Sequence, residues 1–231
     1  MPMRGKTKAG LEDVVATTSG ICYMDGRRGV LSYRGYDIHD LVASATFEEV
    51  CFLLWHARLP SRTELGDVKS DMVSARTLPE SILRMIRFLP PDNGMATIRT
   101  ITSALSHFDP DSDNSSREAN LRKAIRLTSQ IGSVVATHAR LASGGTPVNP
   151  DPALGHAANF LYMLTGERPT SEATKALDIA LVLHADHELN ASTFAARVAA
   201  ATLTDIHSAI VAGIAPSARM ISSALLAVSR L

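Results

Sequence analysis

Leu181-Val-Leu-His184-Ala-Asp186-His187-Glu188-Leu-Asn190 is the stretch on which the reading of this chain turns. Four titratable side chains crowd into five positions there. The flanks are apolar: Ala176 to Leu183 carries one charge, Asp178, and Ala191 to Ala201 carries one, Arg197. Charged groups in apolar surroundings cost several kcal/mol unless paired or hydrogen-bonded. Leu177, Ile179, Ala180, Leu183 and His184 recur at steps of three and four, which predicts a buried helix. Continued, that helix puts His184, His187 and Glu188 on one face, with Asp186 pointing elsewhere. Asn190 stops the helix, and Ser192 or Thr193 caps the next one. Three readings fit: satisfied core histidines, a zinc site from two His and a Glu, or a site for an anionic small molecule with His as donor. The zincin spacing His-Glu-x-x-His is absent, no cysteine lies nearby, and no third ligand is evident. The expectation is therefore no metal.

Working outward, the predicted elements are helical almost throughout. Asp37 starts a short helix. Thr46-Phe-Glu-Glu49 and Ser61-Arg-Thr-Glu64 are capping boxes opening two more. Pro79 and Glu80 start another, which Pro90 and Pro91 close, and a further helix runs from Gly94 to His107. A long helix with Leu121, Ala124, Ile125, Ile131, Val134, Val135 and His138 inward ends at Gly144 and Gly145. His156 and Asn159 begin the next, and the motif helix starts near Ser171. Thr193 to Ala215 reads as one Ala-rich helix whose small residues would let a neighbour approach closely. The one sheet expected is a hairpin of Gly20–Met24 and Val30–Tyr33 across Asp25-Gly-Arg-Arg-Gly29. Arg34, just beyond it, reads as a structural anchor. Asp109, Asp111 and Asp113 match the opening of an EF-hand loop, but Asn114 and Asn120 stand where Gly and Glu are needed. That segment reads as a solvated loop followed by a capping Ser115 or Ser116.

Composition agrees with an all-α class: 45% hydrophobic and 5% aromatic residues in 231, enough for one large domain with its own core. Formal net charge is zero, and no basic stripe suggests nucleic acid. Cys22 and Cys51 lie in apolar patterns and read as buried free thiols of a reducing, cytoplasmic compartment. Arg4, Lys6 and Lys8 are not followed by an apolar run, so no secretory signal is expected. Ala209 to Leu231 contains Pro216, Arg219 and Arg230, which argues against a membrane helix.

The string His184-Ala-Asp-His-Glu-Leu-Asn-Ala-Ser-Thr-Phe-Ala-Ala-Arg197 resembles the large-domain active-site segment of bacterial citrate synthases and 2-methylcitrate synthases. Gly10-Leu-Glu-Asp-Val-Val-Ala, Gly29-Val-Leu-Ser-Tyr-Arg-Gly-Tyr-Asp-Ile38, Thr46-Phe-Glu-Glu-Val, Leu53-Leu-Trp-His-Ala-Arg-Leu-Pro60 and Asn159-Phe-Leu-Tyr-Met-Leu-Thr-Gly166 resemble other segments of that family, in the same order. The resemblance implies a tail over 1–9, an incomplete large helical domain over 10–215, and a non-matching segment over 216–231. It implies condensation of acetyl-CoA, or propionyl-CoA, with oxaloacetate, with the acyl-CoA as co-substrate and no bound cofactor. It places His187 and Asn190 at the oxaloacetate, with His184 and Asp186 behind them as orienting residues. It also implies a homodimer through antiparallel helices.

After the Ala-rich helix the family continues Gly-Pro-Leu-His-Gly-Gly, which supplies the histidine that stabilises the enol. Here the chain reads Ala215-Pro-Ser-Ala-Arg-Met220. No counterpart of that histidine, of a second histidine or of the catalytic aspartate is identifiable. The expectation is a truncated family member, inactive alone. The alternative is a non-catalytic dimerisation or oxaloacetate-binding module that pairs with a full-length citrate synthase.

Overall fold

A computed structural model describes residues 19–215. The expected tail over 1–9 and the segment over 216–231 lie outside the described residues. Three strands open the described chain, β1 (Cys22–Asp25), β2 (Val30–Tyr33) and β3 (Tyr36–Asp37). Ten helices follow: α1 (Ile38–Ser44), α2 (Phe47–His56), α3 (Arg62–Ala75), α4 (Glu80–Phe88), α5 (Gly94–Leu105), α6 (Arg117–Ala142), α7 (His156–Thr165), α8 (Ser171–Leu183), α9 (Ala191–Ala201) and α10 (Ile206–Ile214). The fold is therefore mostly helical with one small N-terminal sheet, as the pattern predicts.

The hairpin is larger than expected. β1 and β2 pair antiparallel with Cys22 opposite Tyr33, and β3 then returns along β2 with Tyr33 opposite Tyr36. Arg34 (φ 50°) and Gly35 (φ 88°) both adopt left-handed backbone, which gives a two-residue turn its tight reversal. Both capping boxes form. The Thr46 hydroxyl accepts from the Glu49 N–H, and the Glu49 carboxylate accepts from the Thr46 N–H at 2.7 Å. Ser61 and Glu64 repeat the arrangement on α3.

Three apolar clusters hold the helices. Ile82, Ile86, Ile98, Ile101, Leu105 and Val134 join α4, α5 and α6, with Ile206, Ile210 and Ile214 of α10 laid against them. Phe52, Val68, Met72 and Ile125 join α2, α3 and α6. The third cluster positions the site: Cys22 and Tyr33 of the sheet, Ile38, Leu41, Val50 and Leu53 of α1 and α2, and Val182 in the last turn of α8. Fully burying one such aliphatic side chain stabilises by about 1.5–3 kcal/mol.

Several expectations are corrected. The single helix over Thr193–Ala215 is two. Leu203 turns left-handed (φ 63°), and the Asp205 carboxylate accepts the Ser208 N–H at 2.9 Å, capping α10. An Asp side chain offering the backbone this alternative outcompetes helix continuation. The small residues are used within the chain: a Cβ on Gly213 would lie 3.1 Å from the Ser192 carbonyl oxygen, so α10 packs closely on α9. The motif helix is not buried either. Only Val182 of α8 is buried, none of α9 is, and Leu183 and Val198 are exposed.

The 109–114 segment is a solvated loop only in part: Pro110, Asp113 and Asn114 are exposed, but its first aspartates are tied down. Asp109 is buried and takes a two-pronged hydrogen bond from Arg126, at 2.5 and 3.0 Å. Asp111 is shared between Arg122 and Arg126, which hold its carboxyl well below the usual range. Ser116 caps α6.

Candidate functional site

The sequence-predicted residues come together, but on a turn and not on a helix face. α8 ends at Leu183, and His184 is its C-cap. The His184 Nδ1 lies 2.8 Å from the Ala180 carbonyl oxygen. A carbonyl only accepts, so Nδ1 is the donor in that bond. Residues 185–190 are irregular, with Glu188 left-handed (φ 54°). The expected shared face of His184, His187 and Glu188 therefore does not exist, because the helix ends at Leu183, five residues before Glu188. Among the described residues, no group of three or more His, Cys, Asp or Glu is placed to hold a metal ion.

Each turn residue has a distinct set of partners. Asp186 is half-buried, and its carboxylate accepts the His187 N–H at 2.7 Å. Burial pushes Asp186 above the usual carboxylate range; the His187 N–H offsets this in part, Glu188 adds to the rise and Arg34 opposes it. The Glu188 carboxylate reaches across to β1 and accepts the Met24 N–H at 2.8 Å. Asn190 does not end the motif helix; it begins the next, its Oδ1 accepting the Thr193 N–H at 2.9 Å. That leaves the Asn190 amide N–H₂ as its remaining donor. The His187 side chain is exposed, and its ring makes no hydrogen bond among the described residues. The turn thus offers one unengaged imidazole, flanked by an ionisable carboxyl and an amide donor. Such a set suits a small anionic ligand.

Sequence reasoning missed the residue that holds the turn. Tyr33 is fully buried, and its hydroxyl lies 3.2 Å from the carbonyls of both Leu183 and Asp186, and 3.4 Å from the Asp186 nitrogen. The available signal was a tyrosine in an inward strand position, since a buried tyrosine hydroxyl normally finds a partner. Arg34 is the anchor expected of it: its guanidinium donates to the carbonyls of Leu54 and Gly20. Cys22 and Cys51 are buried free thiols.

A cleft lies away from this turn, at the N-terminal half of α8. It has a volume of about 560 Å³, and its lining includes Glu48, Lys69, His156, Lys175 and Asp178. Its two carboxylates are engaged: Glu48 accepts the His156 N–H at 2.9 Å, and Asp178 accepts the Phe47 N–H at 3.1 Å. Burial pushes the His156 imidazole down to about 4, with Arg76 adding to the drop and Glu48 opposing it.

Ten α-helices over one small sheet among the described residues, with a histidine turn at the C-terminus of α8, define a mostly helical domain. A family model described as citrate synthase, C-terminal domain, matches residues 10–218. The chain belongs to the citrate synthase family. It is 45% identical over 217 residues to a citrate synthase of Haloferax volcanii, a match covering 92% of this chain and 57% of that one. It is 38% identical over 212 residues to a 2-methylcitrate synthase of Mycobacterium tuberculosis, covering 91% and 53%. Among solved structures it resembles the ternary complex of carboxymethyl coenzyme A and oxaloacetate with the citrate synthase of Thermoplasma acidophilum. That match has a TM-score of 0.85 at 27% identity and covers 91% of this chain and 56% of that one. The chain spans about half the length of the curated relatives it matches.

Proposed function

We propose that this chain carries the oxaloacetate-binding part of an acyltransferase that condenses acetyl-CoA, or propionyl-CoA, with oxaloacetate. The observation that carries the reading is the exposed His187 ring, which makes no hydrogen bond among the described residues, beside the Asn190 amide on a turn that the Asp186 and Glu188 carboxylates brace. A relative of the same fold was solved with oxaloacetate, which supports the choice of ligand. His187 donates to an oxaloacetate oxygen, and the Asn190 amide donates beside it. Asp186 orients His187 through its backbone N–H. His184 fixes the end of α8 and does not touch the His187 ring by any hydrogen bond among the described residues.

Oxaloacetate at about a hundredfold excess over its Kd is expected to stabilise the chain by about 2.7 kcal/mol. His187→Ala should abolish that gain while leaving the unliganded stability within about 0.5 kcal/mol, because the ring is exposed. Calorimetric unfolding with and without oxaloacetate measures both, and an unchanged ligand-induced shift in the variant rules the assignment out.

Condensation also needs a base and a donor for the enol oxygen. By the resemblance, those groups belong to the Gly-Pro-Leu-His-Gly-Gly segment and the region after it, and we assign them to none of these 231 residues. The purified chain alone, given oxaloacetate and acetyl-CoA, is expected to release no thiol from the coenzyme; steady release would refute that division of labour. The exposed apolar side chains Leu183 and Val198 support pairing with a second copy or with a full-length citrate synthase. Co-purification with a complete relative would favour the reading of a non-catalytic partner module. The buried free thiols support a reducing, cytoplasmic setting.

A further inference from the structure

We infer that Tyr33 is a positioning residue for His187: the N-terminal sheet, about 150 residues upstream, sets the backbone on which the substrate histidine stands. The inference rests on the reading of His187 as the oxaloacetate contact. Among the described residues no hydrogen bond holds the His187 ring, so its place depends on the backbone beneath it.

That backbone is tied at both ends and in the middle. Tyr33 sits at 0% exposure, packed with Val50, Leu53 and Val182, and its hydroxyl engages the turn at Leu183 and Asp186. A hydroxyl has one hydrogen and two lone pairs, so it serves a carbonyl and the Asp186 N–H together. The second tie is the Glu188 carboxylate on the Met24 N–H of β1, and it holds a residue whose left-handed backbone a non-glycine side chain adopts at a cost. The third is Asn190, capping α9. Arg34 fastens the sheet itself to the end of α2 through the Leu54 carbonyl at 2.9 Å. Two of the three ties come from the sheet. Removing the Tyr33 hydroxyl frees Leu183 and Asp186 on the N-terminal side of His187 while leaving the aromatic packing in place.

The test uses the full 231-residue chain as Tyr33→Phe, with Ile82→Val as a control. Ile82 is equally buried, in the cluster of α4 to α6, and its truncation costs stability without touching the turn. Calorimetric titration with oxaloacetate is expected to show Kd weakened about tenfold in Tyr33→Phe, the loss of roughly one hydrogen bond's worth of alignment, and unchanged in Ile82→Val. Amide exchange of Asp186 and His187 should quicken in Tyr33→Phe beyond the change in Ile82→Val. Equal Kd values in the two variants, with the unsubstituted chain binding oxaloacetate, would overturn the positioning role and leave the His187 reading intact. Failure of the unsubstituted chain to bind oxaloacetate would overturn the His187 reading and the positioning role that depends on it.

Discussion

Arg126→Ala is expected to destabilise the domain by about 3 kcal/mol, the largest single-residue loss foreseen at a polar position. The Asp109 side chain is 3% exposed, and its carboxylate receives both prongs of the Arg126 guanidinium. Truncating Arg126 leaves a buried carboxylate without its main partner, and an unpaired buried charge costs far more than an exposed pair contributes. Arg126 is itself 20% exposed, which places the loss toward the lower end of what buried pairs show. The remaining partners are the Asp111 N–H, which donates to the Asp109 carboxylate at 2.8 Å, and His207, whose Nε2 at 3.5 Å is too far for a strong bond. Burial lowers the His207 pKa, and Asp109 and Asp205 oppose that drop. With Arg126 gone, the Asp109 charge falls to His207 to neutralise, so His207 should take up a proton more readily and the variant should lose least at acid pH. Urea unfolding at pH 7 and pH 5.5 measures both effects. A loss under about 1 kcal/mol would mean that water reaches Asp109 once the arginine is removed.

Acid should weaken the fold through His156. Its ring is buried, tilted against Phe47 with centroids 5.1 Å apart, and its folded-state value is about 4 against an ordinary 6.5. The folded value is depressed, so between about 6.5 and 4 the unfolded chain holds a proton that the folded chain refuses. Stability is then fully present above about 6.5, falls as pH drops through that window, and levels off below about 4. The shift corresponds to about 3 kcal/mol at 1.36 kcal/mol per pH unit, an order-of-magnitude figure. His138 and His207 are also depressed by burial and act in the same direction, while Asp178 and Asp186 are raised by burial and act in the opposite one. The His156 share is isolated by difference: His156→Gln should flatten the stability profile between pH 6.5 and 4 relative to the unsubstituted chain. Parallel profiles for the two proteins would show that His156 takes up its proton without resistance from the fold.

Local signals were read well from sequence because their physics is local. The capping boxes at Thr46 and Ser61 and the hairpin turn at Asp25–Gly29 each follow from residues within four positions of one another. The helix boundaries that failed did so where two local preferences competed. Ala-rich periodicity favoured one helix over Thr193–Ala215, and the Asp205 cap broke it. At the site, the residue identities were legible but their arrangement was not. His184, Asp186, His187, Glu188 and Asn190 stand out in the sequence, yet periodicity puts His184, His187 and Glu188 on one helix face, whereas α8 ends at Leu183 and a turn holds them.

The order of motifs in the chain by itself determined the family and the mostly helical class, because capping, periodicity and a string of polar residues in an apolar setting are written in neighbouring positions. Only the tertiary structure decided how His187 is presented. The Tyr33 hydroxyl, the Met24 N–H and the Asp109–Arg126 pair act between residues that lie far apart in the chain. Such contacts exist only once folding has closed the loops between them, so no window of sequence contains them.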